Sequence, residues 1–396
     1  MGTMRFNRLS WLASILLFLL IPPYFMWGIL SNNATKILIT VLFCGIFYVY
    51  REREDMKNQG LKVLFVFTLI YYILGGIING QSNGFGVLAR TIMLLYVFIP
   101  FSKKDFTLSV YNRFVTIYAI VISISLLSYV GAQLGYLHPI GHLVVGQHNR
   151  AYTIYPLLVL DSNFVFLRFY GPFNEPGVVG TLAALLLCTQ KFNFKDWRTW
   201  VILVSGILSM SLFFFGLVVC YGFVYLVFIK RRFLVALMFV GLFAGFYMQT
   251  KDDPILYNTL WQRFEWDEAE HQFKGDNRKN EAVDSFYEEL KTKPSFWLGS
   301  SKTEVERFWR LVEETSSYKV IVLNSGMIFL ILYLLFFVFI ARKYANNNLM
   351  LALFVLVLLS NTYQRPDIYS ELMLFLYPFF GRYCLSGDSE NTFLTQ

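Results

Sequence analysis

Long hydrophobic runs alternate with short polar segments over most of the chain. About 20 consecutive apolar residues cross a bilayer as an α-helix, and runs near that length recur along this sequence. The pattern therefore predicts about twelve transmembrane spans. They cover residues 10–30, 35–50, 61–78, 85–101, 114–131, 176–190, 200–210, 212–229, 233–247, 320–341, 349–359 and 370–385.

The seventh and eighth spans share a stretch, residues 199–229, that is short for two crossings. Two short or tilted helices would fit it, and so would one long helix with a re-entrant piece. A single helix would place Lys230, Arg231 and Arg232 on the outer side of the membrane, against the tendency of basic residues to stay cytoplasmic. Two separate spans are therefore the favoured interpretation.

Composition supports a membrane location. The 396 residues are 56% hydrophobic and only 15% charged, which is too apolar for a single water-facing surface. Lys and Arg concentrate in alternate connections, so the positive-inside rule places both termini in the cytoplasm. The basic residues behind the net charge of +8 then lie mostly on the cytoplasmic face, next to anionic lipid. The sequence has no nucleic-acid-binding signature.

Two longer segments fall on the outer side, residues 132–175 and residues 250–319. The second is hydrophilic and net acidic. Its residues 277–293 and 302–314 have the apolar spacing of amphipathic helices, which predicts a small helical cap over the membrane. The first helix has Asp276 or Asn277 as cap, and Pro294 and Gly299 follow its end.

These observations define an all-α polytopic integral membrane protein with a helical periplasmic cap. Its predicted parts are spans one to five in 1–131, an outer loop in 132–175, and spans six to nine in 176–249. The large outer loop in 250–319 follows, and 320–396 holds spans ten to twelve with a cytoplasmic tail.

The sequence contains none of the common motifs for nucleotide, zinc-protease or serine-hydrolase chemistry. His138, His142 and His148 share one outer loop, but Pro139 and Gly141 separate them and no acidic or Cys partner lies nearby. Hydrogen bonding at the membrane interface is the favoured interpretation, and neither a metal nor a cofactor is predicted.

All four cysteines lie in apolar spans, so no disulfide framework is predicted for the exterior.

Arginine at the outer membrane boundary is the most distinctive chemical feature. Arg90 lies near the outer end of the fourth span, Arg150 and Arg168 precede the sixth, and Arg365 lies between the last two. A guanidinium is permanently charged and binds phosphate oxygens in pairs, so this set suits a pyrophosphate held at headgroup level. Arg90, Arg150 and Arg365 are equally suited to contact lipid phosphate or a nearby acid such as Glu175 or Asp367, whereas the setting of Arg168 before the turn favours the pyrophosphate.

The stretch RFYGPFNEPGVVG at 168–180 carries a family resemblance. R-x-x-G-P-F-x-E-P-G-x-x-G before a membrane helix resembles the motif of bacterial O-antigen and capsule polymerases, the Wzy family, which is related to the O-antigen ligases. An R…F…P-x-x-x-L-G segment in the large loop, the entry to the tenth span and YQRPDIYS resemble the same family. The matching positions in that loop segment are Arg278, Phe286, Pro294, Leu298 and Gly299.

The resemblance implies a C-type glycosyltransferase-like fold and a lipid-linked substrate. Undecaprenyl pyrophosphate would carry an oligosaccharide repeat unit on the periplasmic leaflet of the inner membrane. One glycan would be transferred to the terminal hydroxyl of another unit, with release of undecaprenyl pyrophosphate and no need for a nucleotide sugar. A chain-length regulator and a flippase of the same pathway are the implied partners.

Carried onto this sequence, the resemblance implies that Arg168 and Arg278 bind the leaving pyrophosphate, with Arg90, Arg150 and Arg365 as weaker partners. Arg263 in WQRFEW competes with Arg278 for the second role. Catalysis also needs a base for the acceptor hydroxyl.

The base remains open among Glu175, His271 and Tyr318. Glu175 has a second interpretation, because it directly precedes Pro176 and is placed to cap the sixth span. Pro172 and Pro176 would stiffen the motif, while Gly171 and Gly177 would let backbone approach the substrate.

Two other functions compete. The ligases carry a His-Asn pair just before the tenth span, where this chain has Tyr318 and Lys319, so transfer to lipid A core is the second choice. A polysaccharide transporter or flippase would need polar residues along several spans, whereas these spans are almost purely apolar. Transport is therefore the third choice.

Overall fold

The computed structural model describes residues 2–30, 33–51, 66, 73, 77, 102–145, 150–162, 168–268, 272–274, 281–312, 318–364 and 371–385. The chain divides into two compact units. The first unit comprises residues 1–20, 28–113 and 278–396, and the second comprises residues 21–27 and 114–277.

The described residues are mostly helical. The helices are α1 (Gly2–Leu19), α2 (Trp27–Leu30), α3 (Asn33–Val49), α4 (Lys104–Gln133), α5 (Pro176–Thr189), α6 (Trp197–Leu208), α7 (Leu212–Val224), α8 (Phe233–Thr250), α9 (Pro254–Thr259), α10 (Glu281–Lys291), α11 (Ser295–Leu298), α12 (Lys302–Leu311), α13 (Tyr318–Tyr344), α14 (Asn348–Gln364) and α15 (Glu371–Phe379). The strands are β1 (Gly141–Val145), β2 (Arg150–Tyr155), β3 (Leu158–Asp161), β4 (Trp266–Asp267) and β5 (Gln272–Phe273).

Three described helices are long and apolar enough to cross a membrane. They are Lys104–Gln133, Leu212–Ile229, in which a π-helical turn extends α7, and Tyr318–Tyr344. Four shorter apolar helices accompany them: Ile37–Val49, Pro176–Thr189, Trp197–Leu208 and Asn348–Gln364. These features indicate an integral membrane protein.

The helices clarify several predicted spans. The first span was predicted to reach Leu30, but α1 ends at Leu19, because Pro22 and Pro23 follow and proline lacks the N–H that a helix needs. The stretch 199–229 forms two separate helices, α6 and α7, with a turn at residues 209–211. The third and fourth spans lie almost entirely outside the described residues.

The core of the first unit is rich in aromatic side chains. Tyr111 stacks on Phe379 with ring centroids 3.9 Å apart, and Phe43 and Phe47 both contact Phe375. Arg382, near the end of the predicted twelfth span, is only 8% exposed and donates through Nη1 to the Ser102 carbonyl. This arginine is therefore part of the packed interior of the unit.

Helix α13 is interrupted at Gly326, which the hydrophobic pattern of the tenth span did not predict. Gly326 has φ 82° and ψ 159°, a backbone conformation open essentially to glycine alone. The chain after α11 fills the break, where the Ser300 N–H donates to the Leu323 carbonyl at 2.8 Å. A carbonyl in the broken region is thereby paired, as a low-dielectric environment requires.

Both predicted amphipathic helices of the outer loop are present, as α10 and α12. Val283 and Leu290 of α10 are buried, and Phe308 of α12 packs edge-on against Phe286. Ser301 and Glu304 form a reciprocal capping box at the start of α12. The proposed caps of α10, Asp276 and Asn277, lie outside the described residues.

The second unit contains a three-stranded antiparallel sheet, β1-β2-β3, within the loop at 132–175. The hydrophobic pattern predicted no strands there. One side of the sheet carries a cluster formed by Tyr152 and Val159 with Tyr170, and Tyr24 and Trp27 pack against this cluster. Further along the unit, α5 packs against both α6 and α7.

The Gly326 break yields a stability prediction. A Cβ at Gly326 would lie 2.3 Å from the backbone oxygen of Trp297 and 2.7 Å from the Gly299 nitrogen. Gly326→Ala should therefore cost at least about 3 kcal/mol, because backbone strain adds to the collision. Thermal unfolding of the purified protein in detergent is the measurement.

Gly45→Ala is the matched control, since nothing lies within 4 Å of a Cβ at Gly45 in α3. This control should unfold at or slightly above the temperature of the unmodified protein. Equal melting temperatures for both variants would show that the break at Gly326 does not require glycine.

Candidate anion-binding site

The segment 168–180 lies against the carboxyl end of α6. The Phe169 N–H donates to the Leu208 carbonyl at 2.9 Å, and Arg168 Nε donates to the Ser209 carbonyl at 3.1 Å. The last carbonyls of a helix have no partner within the helix and carry its negative partial charge. The Phe169 N–H and the Arg168 side chain therefore each pair a carbonyl of this helix end, and Arg168 adds a compensating positive charge.

The turn between α6 and α7 brings backbone unusually close to α5. Met210 has a positive φ of 48°, and Ser211 begins the next helix. A Cβ at Gly180 would lie 2.3 Å from Ser211 Cβ and 2.7 Å from Ser209 Oγ. The last glycine of the motif is therefore required for the contact between α5 and this turn.

A second arginine reaches the same turn. Arg263 Nη1 donates to the Met210 carbonyl at 3.1 Å, and Arg168 Nη2 lies 3.4 Å from the same oxygen. Arg263 belongs to a single 3₁₀ turn, Trp261–Phe264, which Trp261 fastens by donating from Nε1 to Thr250 Oγ1 at 2.9 Å. Two guanidinium groups thus share one backbone oxygen.

The acid nearest to Arg263 in sequence is occupied elsewhere. Glu265 accepts a hydrogen bond from the Tyr257 hydroxyl and forms an ion pair with Lys274 Nζ at 2.9 Å. These contacts hold the pKa of the Glu265 carboxyl below its usual value, and the hydrogen bond from Tyr257 has the largest effect. Within the described part of the chain, no carboxylate forms an ion pair with Arg263, whose pKa is lowered by burial.

Two arginine side chains contact this turn. A helix carboxyl end carries about half a negative charge, and one cation there stabilises a helix by roughly 0.3–1 kcal/mol. The guanidiniums of Arg168 and Arg263 bring two cations to the Met210 carbonyl. Phosphate oxygens match the fork of N–H donors that a guanidinium presents, so an anion is a suitable ligand beside this turn.

Glu175 occupies the position predicted for it but does not act as predicted. It is the residue before α5, with extended backbone and Pro176 at the first helical position. Its side chain makes no capping hydrogen bond to the first turn of the helix, which corrects the expected capping role. The start of α5 is set by the fixed φ of proline instead.

Gly171 has packing contacts within the motif, and its predicted role of admitting the substrate stays a prediction. Its φ is 58°, and a Cβ there would lie 3.3 Å from the Ile122 side chain. The Gly171 carbonyl accepts from the Val159 N–H at 2.9 Å, which ties the motif to β3. Gly171 therefore serves the packing of the motif.

The remaining predicted site residues have different positions. Tyr318 begins α13 in the first unit, where its ring contacts Tyr287 and Tyr363. Arg150 begins β2, and only its backbone is described. Arg90, Arg278, Arg365 and His271 lie outside the described residues, so their predicted roles stay predictions.

Met210 belongs to the candidate site, and the sequence did not predict its part in it. Its contribution is a backbone carbonyl, and no side-chain pattern reports which carbonyl a guanidinium will reach. The only signal in the sequence was Arg263, which was weighed as an alternative to Arg278. No protein-family profile, curated protein or solved structure matches the chain.

The close approach at Gly180 gives a prediction for this site. Gly180→Ala should destabilise the protein by about 1–3 kcal/mol, because the added methyl overlaps Ser211 and displaces the turn that both arginines contact. Binding of pyrophosphate, measured by calorimetry on the purified protein, should weaken together with thermal stability.

Gly216→Ala in α7 is the control, because nothing lies within 4 Å of a Cβ there. It should retain stability and anion affinity. Normal pyrophosphate binding by a stably folded Gly180→Ala protein would argue against the role assigned to the turn.

Proposed function

We propose that the protein is a twelve-span membrane glycosyltransferase that acts on a substrate with a pyrophosphate leaving group. More particularly, we propose a polymerase of undecaprenyl-pyrophosphate-linked oligosaccharide repeat units in O-antigen or capsule synthesis. It would reside in the bacterial inner membrane with both termini cytoplasmic and its active site periplasmic. The observation that carries the proposal is the convergence of Arg168 and Arg263 on the Met210 carbonyl.

The proposed chemistry is a displacement at the anomeric carbon of the donor glycan. The terminal hydroxyl oxygen of the acceptor unit forms the new glycosidic bond, while the bond from that carbon to the pyrophosphate oxygen breaks. The hydroxyl proton passes to a base, and undecaprenyl pyrophosphate leaves with the bonding electrons. Fixed positive charge beside the departing oxygen stabilises the transition state, since negative charge grows there.

Arg168 and Arg263 are the residues proposed to bind the pyrophosphate. Their shared carbonyl favours Arg263 for the second role, which the resemblance gave to Arg278. Arg90, Arg150 and Arg365 are proposed as further cationic contacts of the lipid-linked substrate. The base stays open among Glu175, His271 and Tyr318.

Arginine replacement tests this function. Arg168→Ala and Arg263→Ala should each lower the rate of polymerisation about 100-fold or more, because each removes a donor that stabilises developing charge. Cells carrying either variant should display single repeat units in place of a ladder of long chains on an electrophoretic gel. Arg168→Lys keeps the charge at the helix end but lacks the fork of donors, so it should also lose long chains.

Arg307→Ala is the matched control, because this outer-loop arginine is exposed and pairs with Glu289. It should leave the ladder intact. Long chains in a folded Arg168→Ala strain would contradict the proposed function. Polymer of normal length that stays on undecaprenyl pyrophosphate when the gene is deleted would instead indicate a ligase.

A further inference from the structure

Five aromatic rings form a continuous series through the first unit. Successive ring centroids lie 5.1 Å apart from Trp297 to Phe296, 5.8 Å from Phe296 to Tyr287, 6.0 Å from Tyr287 to Tyr318 and 6.0 Å from Tyr318 to Tyr363. We name this set the aromatic series. It links α10 and α11 of the outer loop to the start of α13 and the end of α14.

The two ends of the aromatic series are exposed while its middle is packed. Trp297 is 49% exposed and Tyr363 is 48% exposed, whereas Tyr287 is 6% exposed. Tyr363 and Tyr318 stack with an interplanar angle of 29°. A rigid interior with an open ring at each end differs from an ordinary core cluster, which would bury its largest side chains throughout.

Charged groups border the middle of the series. Lys319 pairs with Asp284, and Lys319 Nζ lies 5.3 Å from the centroid of the Tyr287 ring. Lys291 Nζ lies 5.1 Å from the same centroid. Burial raises the pKa of Tyr287, so its phenol remains protonated at neutral pH.

This combination of aromatic rings and charged groups is suited to binding a carbohydrate. A pyranose ring has a face of C–H groups that packs on an aromatic ring, and a rim of hydroxyls that both donate and accept hydrogen bonds. Asp284 supplies acceptors and the lysines supply donors, as in sites where an apolar surface gives contact area and a few polar groups give orientation. Tyrosine and tryptophan also occur where proteins meet lipid headgroups. Contact with lipid headgroups is therefore the alternative role that the experiment must distinguish from glycan binding.

We propose that the aromatic series is a glycan-binding subsite that holds pyranose rings of the repeat unit on Tyr363 and Trp297. The inference rests on the proposed function, which supplies a glycan substrate, but the two exposed residues that would hold the glycan, Tyr363 and Trp297, are not among the residues proposed to bind pyrophosphate or to act as the base. It therefore predicts that glycan binding and pyrophosphate binding are lost through different substitutions.

The test uses the purified full-length protein in detergent and two probes. One probe is the oligosaccharide released by mild acid from lipid-linked repeat units, and the other is inorganic pyrophosphate. Tyr363→Ala and Trp297→Ala should each weaken oligosaccharide binding about fivefold or more, with pyrophosphate affinity unchanged. Tyr363→Phe keeps the ring and should bind the oligosaccharide nearly normally.

Trp309→Ala is a closely matched control for Trp297→Ala. Trp309 is 44% exposed and contacts Phe308 edge-on at 5.1 Å, as Trp297 contacts Phe296, but Trp309 does not belong to the aromatic series. It should bind the oligosaccharide with unchanged affinity. If Tyr363→Ala fails to fold, Trp297→Ala provides the same comparison at the other exposed end.

Several outcomes would overturn the subsite. These are an absence of oligosaccharide binding to the unmodified protein, normal binding by the folded Tyr363→Ala and Trp297→Ala proteins, and an equal loss in Trp309→Ala. Weaker association with anionic lipid vesicles at normal oligosaccharide affinity would assign the rings to the membrane interface instead. If Arg168→Ala leaves polymer length unchanged while Tyr363→Ala weakens oligosaccharide binding, the proposed polymerase fails and the subsite stands.

Discussion

The carboxyl end of α6 is the constraint around which the second unit is organised. A backbone carbonyl without a donor is costly where water is scarce, and a helix ends with several of them. Here the carbonyls of Leu208, Ser209 and Met210 are paired by the Phe169 N–H and by the guanidiniums of Arg168 and Arg263. The same turn excludes any side chain at position 180. One physical requirement therefore explains why a charged donor and a position without room for a side chain occur in a single short stretch of sequence.

The first unit also contains an interrupted helix, and there too a distant segment pairs the exposed backbone. Gly326 breaks α13, and the chain at Gly299 and Ser300 enters the break to pair a carbonyl of the first half of the helix. Both glycines have a positive φ, so backbone approaches backbone without an intervening Cβ. In each unit a distant segment completes the hydrogen bonding of an interrupted helical region. Segments fixed in this way hold their neighbouring side chains firmly, which favours the placement of binding groups beside them.

The sequence pattern was informative where structure is local. Hydrophobic runs located α3, α5 and α8 to within three residues at each end, and apolar spacing located α10 and α12, because a helix pairs its own backbone and needs only one suitable face. The sheet at 141–161 was missed because its pairing depends on contacts between strands, and its first strand follows a segment rich in Gly and Pro. The break at Gly326 was missed because a hydrophobic run does not reveal which glycine adopts a positive φ. Arg263 was recognised only as an alternative, since its partner is a carbonyl 53 residues away.

Capping a helix and binding an anion are compatible roles for Arg168 because they require the same rigidity. An exposed arginine must lose side-chain freedom when it binds a phosphate, and that entropy cost reduces what the contact contributes. Arg168 and Arg263 are already fixed by hydrogen bonds to carbonyls that belong to a packed turn. Their charge is therefore oriented before any substrate arrives, and electrostatic stabilisation of a leaving group is strongest when the protein does not have to reorganise during the reaction. A lysine at either position would keep a point charge but lose the planar fork, which contacts the carbonyl and in the proposed function would contact the pyrophosphate as well.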